Sequence, residues 1–375
     1  MPSLDDDAVK KLLARARREV DEGLLPSCQL ALAFEDQVVV NEAFGDATVD
    51  TRYVMYSCTK PVVASAVWML IGRGHVDTSL RVAEYIPEFG ENGKDEVTVE
   101  QVMLHTGGFP SAPLGPPAWE TRKGRLARFA RWRLNWPAGT QYEYHPTSAH
   151  WVLGELIERV TGEDFRRVVN RRVTGALGLE ALRLGVPAEE QGNVIDVVST
   201  GEPATAEELQ ITFGIAQLPE TEVTDEALLA FNLPEVRAVG VPGGGGITTA
   251  ADLAMFYQAL LHNPGELWDP AVLADGTSRV RNHLPDPLFG VPANRSLGLV
   301  LAGDDGQAYL RGLGRTAAAT AFGHNGAGGQ LAFADPTTGI SFAYLTNGLD
   351  QHVIRQGRRG VALASLAGLC GRMDP

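Results

Sequence analysis

The segment "YVMYSCTKPVVASAVWML" at residues 53–70 constrains the fold more than any other feature of this chain. From Ser57 onward it reads as a helix that is apolar on every side. Such a helix has no face to offer water, so it must lie inside the protein. One charged residue, Lys60, stands near its head. Pro61 suits a first helical turn, where backbone N–H groups lack partners within the helix. Ser57 then falls at the N-terminal tip, where free N–H groups and the helix dipole favour negative charge.

The rest of the chain must wrap this helix. Residues 4–22 place Val9, Leu12, Leu13, Ala16 and Val20 on one helical face. Two strand-like runs, "CQLALAFE" and "QVVVNEAFG", follow with an acidic turn at Glu35-Asp36 between them, which predicts a hairpin. Between residues 77 and 263 helical patterns such as "SAHWVLGELIERVTG" and "TAADLAMFYQALL" alternate with the loops "GGFPSAPLGPPAW" and "VPGGGGITT". Strand patterns return in "SLGLVLAGD", "GQLAFADP" and "ISFAYLTNG", the last two joined by a "DPTTG" turn. A helical stretch at 352–370 follows. Strands at both ends with helices between them predict an α/β (α+β) architecture. Residues 1–76 and 290–375 would form one discontinuous sheet domain, and 77–289 a mostly helical one. The two strand-rich ends would pair into a single antiparallel sheet. The first and last helices would cover one face and the helix of Ser57 the other, with a site where the domains meet.

Charge narrows the partners. The formal net charge is −14 with no long basic block, which disfavours nucleic acid or an anionic membrane surface. No run is long enough to span a bilayer. The N-terminal segment is acidic and then amphipathic, without a signal-peptide core. Three cysteines, Cys28, Cys58 and Cys370, lack C-x-x-C spacing and read as free thiols. These features predict a cytoplasmic protein. The eight histidines show no metal-ligand spacing. The glycines at 243–246 are not followed by Gly-Lys-Ser/Thr, so they read as a tight turn and not a phosphate loop. No G-x-S-x-G elbow is present.

The chain contains five lysines against 27 arginines. A lysine kept in an apolar setting, three residues after a serine, points to a titratable amine. Residues three apart at a helix start share a face. A serine hydroxyl becomes a nucleophile when an adjacent base takes its proton. A desolvated lysine can be that base, whereas arginine does not deprotonate in proteins.

Other stretches keep company with this Ser-x-x-Lys pair. "EYHPTSAHW" places Tyr144 just before a helix, and "FGHNGAGGQLAFADP" places His324-Asn325-Gly326 at the entry to a strand. "VMLHTGGFP" and "PGGGGITTAADLAMFYQAL" lie in the same order between them and around them. With these boxes the chain resembles the serine β-lactamase-like hydrolases, a group that includes class C β-lactamases, D-alanyl-D-alanine peptidases, family VIII esterases and related acyltransferases. The resemblance covers nearly the whole chain and implies the β-lactamase-like fold. It implies Ser57 as the acyl-accepting nucleophile, with Lys60 and Tyr144 as its base system. It also implies an oxyanion hole from the backbone N–H groups of Ser57 and Ala327. His324 and Gly326 would lie along the substrate. No cofactor and no metal are implied.

The chain departs from the family pattern at two positions. Pro146 stands where the family's Tyr-x-Asn box has asparagine, so no side-chain amide is offered; Thr147 and Ser148 are the nearest hydroxyls to stand in. His324 stands where typical β-lactamases carry lysine, and a neutral imidazole holds a carboxylate less firmly than an ammonium does. Both changes favour a carboxylesterase acting on a small-molecule ester. The alternatives are a β-lactamase or D-amino-acid peptidase acting on an amide, an acyltransferase to an alcohol, or a non-catalytic protein on the same scaffold. His105 reads as a loop brace, His145 and His150 as flanks of Tyr144, and Cys58 as a packing residue. Phe109, Trp119 and Trp132 are candidates for an acyl pocket or for the core.

Overall fold

The computed structural model describes residues 2–218 and 223–373. The first helix, α1 (Asp6–Asp21), starts where Asp5 accepts hydrogen bonds from the N–H groups of Asp7 and Ala8. It buries Leu12 and Ala16 fully, with Val9, Leu13 and Val20 at the margin. The hairpin follows as β1 (Ser27–Phe34) and β2 (Gln37–Gly45). Glu35 and Asp36 have φ of 50° and 59°, the double left-handed turn whose twist matches that of a two-residue hairpin.

Four further strands complete a six-stranded antiparallel sheet: β3 (Val300–Leu301), β4 (Phe322–Gly323), β5 (Leu331–Asp335) and β6 (Ile340–Thr346). Their order is β2-β1-β6-β5-β4-β3. The two ends of the sequence therefore meet at the sheet's centre, where Leu30 faces Tyr344 and Leu32 faces Phe342. The run "SLGLVLAGD" contributes only two residues to the ladder.

One face of the sheet carries α1 and the final helix, α5 (Val353–Gly368), as the pattern of the sequence predicts. Leu12, Ala16, Leu363, Ala364 and Ala367 pack there against Leu30, Leu32, Phe342 and Tyr344. A buried ion network ties the two helices together. Arg359 donates to Glu19 at 2.5 Å and to Asp350 at 2.7 Å.

The other face differs from expectation. It is covered by α4 (Ala250–His262), not by the apolar helix α2 (Thr59–Gly72). The physical reason is fit. The strands present Ala31, Ala33 and Ala343 on this side, and α4 brings small residues and one amide to them. Gln258 donates to Ala33 O, Gly339 O and Ser341 Oγ, and Ser341 in turn donates to Ala254 O. So α4, within the stretch 77–289 read as the helical domain, packs on the sheet. Helix α2 lies deeper, against α3 (Ser148–Thr161) and the helices Phe165–Val169 and Pro270–Ser278. Residues 59–70 of α2 are all buried.

Candidate active site

The path into α2 sets the site. Tyr53–Val54 pairs antiparallel with Gly246–Thr248, and Met55 N–H donates to Gly246 O. The chain then reverses through a tight helical turn at Tyr56–Cys58 before α2 begins. Tyr56 adopts φ of 44°, which for a bulky side chain costs of order 1–3 kcal/mol. Its hydroxyl donates to Leu228 O at 3.1 Å and its ring meets Phe231 edge-on, which holds the turn in place. Ser57 is the one partly exposed residue between positions 53 and 70.

Lys60 is fully buried beneath it. Its Nζ lies 3.1 Å from Ser57 Oγ, 2.7 Å from Pro146 O and 2.6 Å from Gly243 O. Carbonyl oxygens only accept, so two N–H groups go to Pro146 and Gly243. The third tetrahedral direction points at Ser57. In the neutral amine that direction is a lone pair aimed at the serine proton. Burial, and then the Arg295 cation, push the Lys60 pKa well below its ordinary value. Two sequence features acquire a purpose here. Pro146 contributes its carbonyl, where the family has a side-chain amide. The glycine run brings backbone to within van der Waals reach, since a Cβ on Gly243 would stand 2.9 Å from Pro146 O.

Tyr144 closes the site from the other side, its ring centroid 4.8 Å from Lys60 Nζ. Its hydroxyl is buried and makes no well-aligned hydrogen bond, although Ser57 is near enough to ease its ionisation. Burial dominates and raises the phenol's pKa, so Tyr144 is a neutral O–H at ordinary pH.

His324 lies beside this group, buried, with both ring nitrogens engaged. Nε2 is 3.0 Å from Arg295 Nη1 and Nδ1 is 2.7 Å from Asn325 O. A guanidinium only donates, so Nε2 accepts and Nδ1–H donates: the ring is neutral. The cation at this site is therefore Arg295, which the sequence reading missed. It also donates to Tyr142 Oη at 3.1 Å and stands 5.3 Å over the Tyr144 ring. Among the described residues no carboxylate pairs with Arg295. Nothing in the sequence flags it, because it lies in irregular chain outside every motif.

The stretch after His324 runs alongside the nucleophile turn. Cys58 Sγ donates to His324 O at 3.1 Å, Gln330 Nε2 contacts Val54 O, and a Cβ on Gly326 would lie 2.5 Å from Met55 O. Gly326 and Ala327 are thus brought to the Ser57 turn.

The other candidates resolve as structure. His105 Nδ1 accepts from His145 N–H, and His145 Nε2 accepts from Phe109 N–H; burial lowers the His145 pKa to about 4. Ser148 donates to Phe109 O and Pro110 O, which commits its hydroxyl to the loop. Phe109 and Trp132 stack within the helical core, and Trp119 packs on Trp151. Among the described residues no cluster of three or more histidine, cysteine or acidic side chains is placed to hold a metal ion. None of the described helices is long and apolar enough to cross a membrane.

Known proteins resemble this chain over nearly its whole length. The beta-lactamase family model matches residues 9–366. The esterase/beta-lactamase LipL of Mycobacterium tuberculosis is 28% identical over 319 residues, which span 80% of this chain and 70% of that protein. A penicillin-binding protein homolog from Caulobacter crescentus superposes with a TM-score of 0.77 at 27% identity, covering 98% of this chain and all of that one. A family VIII carboxylesterase does so with the same TM-score and coverage at 25% identity. A buried lysine on the serine of a helix tip, a tyrosine across from it and a family match over almost the full length lead to one assignment: the chain belongs to the beta-lactamase family.

Proposed function

We propose that this protein is a serine carboxylesterase that works through an acyl-enzyme on Ser57. The observation that carries the reading is the hydrogen bond between Ser57 and a fully buried lysine whose other two directions are fixed by carbonyls. Lys60, its proton affinity lowered by burial and by Arg295, takes the serine proton as Oγ attacks the ester carbonyl. The tetrahedral oxyanion is met by the N–H groups of Ser57 and Ala327. Tyr144, a neutral phenol, passes its proton to the departing alkoxide and recovers one from Lys60. Water then enters, and the same groups run in reverse to release the acid. Names of the relatives support an ester substrate: LipL is called an esterase/beta-lactamase, and a superposing structure is a family VIII carboxylesterase. Three cysteines, all buried and unpaired, suit a reducing compartment such as the cytoplasm.

One observation favours the amide-directed reading. Arg295 is a cation at the site without a carboxylate partner among the described residues, which suits a substrate that carries its own carboxylate. A single comparison separates the two readings: kcat/KM for a short-chain p-nitrophenyl ester against a chromogenic cephalosporin on one preparation. Faster ester turnover is expected. A faster cephalosporin would overturn the esterase reading. Fluorophosphonate labelling should place one adduct on Ser57, and an adduct elsewhere in active protein would overturn the assignment of the nucleophile.

A further inference from the structure

The loop at 326–330 must hold Ala327 N–H on target, yet it is built from residues that resist being held. Gly328 and Gly329 have φ of 75° and 99°, and glycine loses more freedom on ordering than any other residue. The far end of the loop is well fixed. Gly326 N–H donates to Gln330 O, and the Gln330 side chain exchanges hydrogen bonds with Thr346 at 2.8 and 2.9 Å. Tyr56, Leu349 and Thr346 flank the middle of the loop with carbon atoms, and Gln356, in the first turns of α5, brings a polar group to its N–H groups. With its carbonyl turned to the loop, Gln356 accepts from Gly328 N–H at 3.2 Å and from Gly329 N–H at 3.0 Å. The opposite orientation would set its NH₂ against two donors.

We infer that Gln356 is a positioning residue for the oxyanion hole, clamping the two glycine amides that follow Ala327 so that the Ala327 N–H stays aimed at the developing charge. The inference rests on the hydrolase reading above. Its physical basis is that oxyanion donors act through pre-alignment, and a loosened donor must be ordered during the reaction. Gln356 acts through the loop and not on the reacting atoms.

Two variants of the full-length protein test it. Gln356→Met keeps length and removes the acceptor, while Gln356→Glu keeps an acceptor for both N–H groups. Hydrogen–deuterium exchange of the peptide containing 326–330 should quicken in Gln356→Met and return toward wild type in Gln356→Glu. On a p-nitrophenyl ester, Gln356→Met should lose about 10-fold in kcat with KM within about twofold. Affinity for a boronic acid, which forms a tetrahedral adduct on serine, should fall in parallel with kcat. A merely structural contact would not move the boronate affinity together with kcat. Unchanged exchange in Gln356→Met overturns the clamp, and so does Gln356→Glu exchanging as fast as Gln356→Met. Quickened exchange with unchanged kcat and boronate affinity overturns the catalytic consequence. A wild-type protein inactive on every ester and unlabelled at Ser57 would instead sink the hydrolase reading, and the assignment of Gln356 to an oxyanion hole with it.

Discussion

Lys60 and Lys94 are both fully buried, both give their N–H groups to backbone carbonyls, and both lie over an aromatic ring. Lys94 donates to Glu91 O and Trp132 O, and its ammonium stands 5.4 Å from the Phe89 ring. Desolvation lowers its pKa to about 8, with Glu91 opposing the shift and the Arg133 cation adding to it. Lys60 has Arg295 for a neighbour, and burial, then that cation, set its pKa well below the ordinary value. What separates them in kind is the third direction: Lys60 faces a hydroxyl that can give up a proton. Burial alone makes a structural pin. Burial with a proton donor in the third direction makes a base.

The largest expected effect breaks this comparison at Lys60. Lys60→Arg keeps the charge and discards the base, so kcat/KM for an ester should fall by about 10³–10⁴. Circular dichroism should show it folded. An arginine variant that keeps most of its turnover would reduce Lys60 to the class of Lys94.

Arg295→Met sharpens the comparison by removing the opposing cation. Lys60 should then hold its proton to higher pH, so the acid limb of the pH–kcat/KM profile moves upward and activity at neutral pH drops by about 10-fold. Cys58, His105, His150 and His324 also face Lys60; burial raises the Cys58 pKa and lowers those of the three imidazoles, so all four resist charging. A limb that stays in place would show that the base does not sense Arg295.

Lys94→Met should leave the turnover of folded protein within about twofold while lowering stability by about 1–3 kcal/mol, since Glu91 O and Trp132 O lose their donor. Denaturant midpoints measure it. The same variant should also change the pH dependence of stability. A lysine depressed from 10.5 to about 8 is charged in the unfolded chain and neutral in the native one between those values. The unfolded state binds more protons there, so the Lys94 contribution to stability rises with pH from about 8 to 10.5. Lys94→Met should lack that rise; a variant with the wild-type slope would contradict the assignment.

What the sequence disclosed divides along the line between side chains and backbone. The strongly periodic elements α1, α3, α4 and α5 are legible from their spacing, and the hairpin from its two turn residues. Ser57 and Lys60 are legible because a lysine is rare in so apolar a helix, and Tyr144 through the resemblance of its box to the family's; the structure brings the three side chains together. The carbonyls of Pro146 and Gly243 are not legible, since every residue has a carbonyl and only tertiary structure says which one meets Lys60. Arg295 was hidden for a related reason. It is one of 27 arginines, and the absence of a carboxylate partner among the described residues cannot be read from a string. Assigning a sheet face to α2 failed because an all-apolar helix satisfies burial equally well one layer further in.

The sheet order carries a consequence for how the protein is made. Ala31 pairs with Ala343, about 310 residues later in synthesis. A ribosome adding roughly 5–20 residues per second needs on the order of 15–60 s to bridge that interval. Helix α2 emerges near the start of it, and the last of the helices that wrap it, Pro270–Ser278, only about 200 residues afterwards. For most of translation the nascent chain therefore carries its most apolar helix incompletely sheltered, with a central sheet that cannot yet close. Yield in a cell depends on how residues 59–72 are guarded over those seconds, a quantity on which the stability of the finished molecule has no bearing.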